Sequence, residues 1–129
     1  MPLHRTAPSL LSGLPEHLLA NLFTSATPVK LDADEVLFLA GDSGDGCYRV
    51  EDGLLKVTMM SRAGSERILA FLGGGSIVGE LSIIDGLPRS ASVVAVRAAA
   101  LSFLSRAAFE DFARQHPDIY KSLVTLIAA

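Results

Sequence analysis

The chain has 129 residues, half of them apolar and 19% charged, with a net charge of −3. Such a length and apolar share allow one domain with a sizeable core and exclude an intrinsically disordered chain. The eleven basic residues are scattered, which argues against a nucleic-acid grip by the residues present.

No apolar run reaches membrane-spanning length, since Arg97 and Arg106 bound the longest, Ala98 to Leu104. The N-terminus, Met1 to Pro8, lacks the continuous apolar region of a signal peptide, so a cytoplasmic address is expected. Cys47 is alone and therefore forms no internal disulfide or cysteine metal cluster.

In chain order, Leu10 to Phe23 predicts an amphipathic helix, with Pro15 in its first turn and Leu18, Leu19, Leu22 and Phe23 at helical spacing. From Val29 the period changes to two. Strands are predicted at 29–31, 36–39, 48–51, 54–60, 67–72, 92–96 and 101–104, with turns every eight to twelve residues. Asp52-Gly53 predicts a hairpin, and Arg62 to Ser65 and Gly73 to Gly75 predict further turns. Gly41 to Gly46 reads as a turn and not a calcium loop, because its acids do not have EF-hand spacing. Ser105 predicts the N-cap of a helix that stops near His116, before Pro117. A last helix opens at Pro117-Asp118 with Ile119, Leu123, Leu126 and Ile127 on one stripe. It has no stop signal at Ala129, so a longer parent chain is expected.

The chemistry concentrates between Ser76 and Ala95. Gly79 permits close backbone approach, and a helix turn from Glu80 directs N–H groups toward an anion. Arg89, set just after Pro88, supplies a forked cation for phosphate oxygens, and Ser90 a hydroxyl. Glu80 suits a sugar hydroxyl. The alternatives are an acid that merely favours a helix dipole, an Arg89–Glu80 ion pair, and a Ser90 hydroxyl bonded to nearby backbone. Leu81, Ile83 and Ile84 are expected to pin the short cassette helix, 80–84, against the core and the terminal helices.

Gly79-Glu80-Leu81-Ser82 and Pro88-Arg89-Ser90-Ala91, in this order and spacing, resemble the phosphate-binding cassette of cyclic nucleotide-binding domains of the Crp/Fnr regulator type. The resemblance covers nearly the whole chain. It implies a mainly β fold, a jelly roll over 29–104, with helices flanking it at 1–28 and 105–129, forming one domain. It further implies that Glu80 binds a ribose 2′-hydroxyl, that Arg89 and Ser90 bind a cyclic phosphate with backbone from Gly79, Leu81, Ser82 and Ala91, and that Val57 and Leu69 line the base and sugar. The effector would be cAMP or cGMP, with no cofactor and no metal. Ser90 leaves the base open, and the adenine-capping residues of the family would lie beyond Ala129. A homodimer through Ile119, Leu123, Leu126 and Ile127 is implied, as is DNA contact only through a helix-turn-helix part not present here.

Alternatives are a module regulating a kinase, a channel or another output, and a member that has lost its effector. A cupin-like metalloenzyme is disfavoured because His4, His17 and His116 all lie outside the predicted strands. No catalytic set is recognisable, so no enzyme is expected.

Overall fold

The computed structural model describes residues 10–128, with side chains described as far as Thr125. Its strands are β1 (Thr27–Leu31), β2 (Val36–Phe38), β3 (Gly46–Met60), β4 (Glu66–Leu72), β5 (Ile77–Val78) and β6 (Ser92–Ser105). Its helices are α1 (Glu16–Leu22), α2 (Leu81–Asp85), α3 (Arg106–Gln115) and α4 (Asp118–Ala128), and short 3-10 turns, Leu11–Gly13 and Phe23–Ser25, flank α1. The expected single helix over 10–23 is thus divided, with Pro15 in extended geometry just before α1.

The sheet is antiparallel, in the order β1-β6-β3-β4, with β2 on β6 and β5 on β3. The architecture is the expected jelly roll with flanking helices. Its spine is the pairing of two long strands, β3 and β6, from Gly46↔Ser105 to Thr58↔Ser92. Asp52-Gly53 therefore does not make a hairpin. It is an irregularity within β3, where register shifts between Val50 and Leu55 bend the strand so that it serves both ends of the roll. Gly53 is required there. Its φ is +113°, and an added Cβ would come within 2.6 Å of the Ala99 Cβ. The small residues Ala98 to Ala100 on β6 make room for the bend.

Apolar residues form two clusters. Leu31, Val50, Leu55, Val93 and Leu101 fill the roll. Leu11, Leu18, Leu22, Leu104, Phe109, Ile119 and Leu123 join the flanking helices to one end of it. Ser105 caps α3 as expected, its Oγ accepting the Ala108 N–H at 3.0 Å.

The first two residues of the α4 stripe face the core of their own chain and not a partner. Ile119 is fully buried and Leu123 is 6% exposed, both inside their own chain, so neither is available to a partner. A helical stripe fits an intramolecular core as readily as a dimer seam, and here the core of α1 and α3 claims it. Tyr120 and Val124, 50% and 64% exposed, form the outer face instead. The side chains of Leu126 and Ile127 lie outside the described residues. Of the three apolar residues of α2 only Ile83 is buried; Leu81 and Ile84 are exposed, because a five-residue helix lying on the surface can bury one side only.

Candidate functional site

The second half of β3, β4, β5, α2 and the loop before β6 line a half-open cavity of about 350 Å³, toward the small end of ordinary ligand pockets (roughly 300–1,000 Å³). The chain reverses sharply after β5 because Gly79 adopts φ +81°, and Glu80 then starts α2. The loop from Leu87 returns past Pro88 so that Arg89, Ser90 and Ala91 enter the wall.

Arg89 is 7% exposed although it carries a charge. One terminal nitrogen, Nη1, donates to the Gly79 carbonyl at 2.9 Å and to Ser82 Oγ at 3.3 Å. The other, Nη2, donates to the Gly46 carbonyl at 2.8 Å. The guanidinium carbon stands 4.2 Å above the Phe38 ring, a cation–π contact. Backbone bonds fix the residue too, its N–H donating to the Asp42 carbonyl and its carbonyl accepting from the Gly41 N–H, both at 2.8 Å. Its Nε–H is buried without a hydrogen-bond partner among the described residues. Burial lowers its pKa, and Tyr48, Cys47, Asp45 and Asp42 oppose that shift. The hydrogen-bond partners of this desolvated cation are neutral carbonyl and hydroxyl oxygens, an arrangement that suits an anion as a further partner.

Glu80 is 9% exposed. Its Oε1 accepts the Leu10 N–H and its Oε2 the Leu11 N–H, each at 2.7 Å. The acid and the base of the cassette thus have separate partners and do not rely on a mutual ion pair. Beneath them Cys47 is fully buried, and desolvation, with the Glu80 charge, pushes its thiol up to about 12.

The structure brings Gly79, Glu80, Leu81, Ser82, Arg89, Ser90, Ala91 and Val57 to one cavity wall. Leu69 is not among them. It is 47% exposed and sits in the irregularity where Val57 pairs with Ala70 but Thr58 with Ile68. Ala70 and Leu72, two apart on β4, line the cavity, and alternation puts Leu69 on the opposite face.

Sequence reasoning missed Phe38, Gly44 and Gly46. A Cβ on Gly44 would collide with the Ser82 side chain and stand 3.1 Å from Arg89 Nε, and a Cβ on Gly79 would collide with the Arg89 guanidinium. The glycines of 41–46 were legible as a turn; their use in wrapping Arg89 depends on pairing across more than forty residues. Among the described residues no group of His, Cys, Asp and Glu side chains could hold a metal ion, and no helix is long and apolar enough to cross a membrane.

Comparison with known proteins agrees with this geometry. Residues 28–116 match the family model of the cyclic nucleotide-binding domain. The chain is 37% identical over 92 residues to the cyclic AMP receptor protein of Thermus thermophilus, covering 71% of this chain but 43% of that protein. It superposes on the N-terminal domain of a transcriptional regulator from Streptomyces coelicolor A3(2) with a TM-score of 0.83 at 31% identity, covering 92% of this chain and 83% of that one. It also resembles the regulatory domain of Toxoplasma gondii PKA, solved with cAMP, with a TM-score of 0.71 at 31% identity, covering 80% of this chain and 40% of that one. The chain thus spans less than half the length of its Thermus relative. With the family model matching residues 28–116, most of its length, this chain belongs to the cyclic nucleotide-binding domain family.

Proposed function

We propose that the chain is a cyclic-nucleotide sensor, with cAMP or cGMP as effector and no catalytic step of its own. The observation that carries it is Arg89, a buried guanidinium that lines a half-open cavity together with Glu80, Ser82 and Ser90. A cyclic phosphate would supply the countercharge that the neutral carbonyl and hydroxyl partners of Arg89 do not. Glu80 would receive the ribose 2′-hydroxyl, Ser90 would add a phosphate contact, and the apolar wall of Val57, Ala70 and Leu72 would take the base. The similarity to the Thermus cyclic AMP receptor protein and the Streptomyces regulator domain supports cAMP and a transcription regulator as parent. In that reading 1–129 is one cytoplasmic effector domain, it self-associates through α4, and DNA is met by a separate part. The resemblance to the PKA regulatory domain supports a second reading, a module regulating a kinase or another output. Any residues the gene encodes beyond Ala129 separate the two.

Calorimetric titration with cAMP, cGMP and 5′-AMP tests the proposal. Saturable heat with at least one cyclic nucleotide, and weaker binding of the open 5′-phosphate, is expected. Absence of heat with both cyclic nucleotides overturns it.

A further inference from the structure

The acid of the cassette is held by a part of the chain that the cassette itself does not include. Leu10 and Leu11 lie 70 and 69 positions before Glu80, yet their N–H groups take its two carboxylate oxygens, one each, at 2.7 Å. These are short, charge-assisted bonds. N–H groups at the start of a helical turn have no acceptor within it, and Glu80 fills that role for the 3-10 turn Leu11–Gly13. The turn cannot drift, because Leu11 is 1% exposed and packs in the cluster that also contains Ile83 of α2 and Leu18, Phe109 and Ile119. A carboxylate offers about four acceptor positions, and these two short N–H bonds, one to each oxygen, fix the orientation of the group.

We infer that the N-terminal turn is a positioning element of the ligand site: through Glu80 it sets where a sugar hydroxyl is received, and a bound sugar in return tightens the turn. The inference rests on the cyclic-nucleotide reading. The return effect is required by thermodynamic reciprocity, since whatever the turn does for the sugar's affinity, the sugar does for the turn.

Leu10 has φ −63° and ψ −45°, angles that proline adopts, so Leu10→Pro removes one N–H without demanding a new φ at that residue. The affinities of cAMP and 2′-deoxy-cAMP are measured for the natural chain, Leu10→Pro and the control Leu10→Ala. The natural chain is expected to prefer cAMP by roughly tenfold or more, the range of a charge-assisted hydrogen bond. Leu10→Pro should shrink that preference at least about threefold while the 2′-deoxy affinity holds, and Leu10→Ala should keep it. An unchanged preference in Leu10→Pro overturns the inference. If the proline variant does not fold, amide exchange in the natural chain decides. Leu10 and Leu11 should be more protected with cAMP than with 2′-deoxy-cAMP, and equal protection overturns the inference. Equal affinity of the natural chain for both nucleotides defeats this inference alone. Binding of neither defeats the cyclic-nucleotide reading, and this inference with it.

Discussion

Arg89 both braces the loops around it and offers a charge to a ligand, and the two duties separate by substitution. Alanine would leave the Gly46 and Gly79 carbonyls without their donor, a cost of about 1–3 kcal/mol for each such group. The fold is therefore not indifferent to this residue, as a surface arginine would be. Lysine keeps the charge but not the fork. We expect Arg89→Lys to bind cyclic nucleotide at least about tenfold more weakly while circular dichroism stays unchanged; calorimetry checks it. Cys47 makes an independent prediction. Fully buried, with its thiol raised to about 12, it should react with thiol reagents at pH 8 only after denaturation. Because its folded-state value lies above the unfolded one, the neutral thiol favours the fold below about pH 9. That contribution is lost as the pH rises from about 9 through about 12.

Among the elements, the continuity of β3 is the unusual feature, since a fifteen-residue strand must bend to remain paired with β6. Gly53 makes the bend possible. Valine there would have to hold φ near +113° and press on Ala99. The expected loss is about 1–3 kcal/mol or more, read from the denaturation midpoint. Helix α3 offers a milder comparison. Its N-cap bond from Ala108 to Ser105 is local, so Ser105→Ala should cost about 1 kcal/mol and leave ligand affinity unchanged.

For the whole molecule, the orientation of α4 decides how copies of the chain could meet. Its inner face, Ile119 and Leu123, belongs to the core, and its outer face presents Tyr120 and Val124. We expect Leu123→Asp to unfold the chain, because a buried unpaired charge is heavily penalised. Val124→Asp should leave it folded and shift sedimentation toward monomer. A folded Leu123→Asp variant, or a Val124→Asp variant that sediments as the natural chain does, would refute this assignment of faces.

By itself the sequence determined whatever depends on neighbours within a turn or two. Ser105 could be named as a cap and Pro117 as the break between α3 and α4, because short-range backbone preferences dictate both, while Gly79-Glu80 and Arg89-Ser90 were legible as a cassette through their resemblance to a known family. Tertiary structure decided the rest. Asp52-Gly53 carries a hairpin signal, but pairing with β6 on both sides of it made it a bend within one strand. The family resemblance placed Leu69 on the cavity, but Ala70 and Leu72 hold that face of β4 and leave Leu69 exposed on the other. The stripe of α4 was visible, yet periodicity reports that a face is apolar and not what will cover it. The two N–H groups that hold Glu80 come from about seventy positions away, and no local pattern encodes a contact that only the closed core brings together.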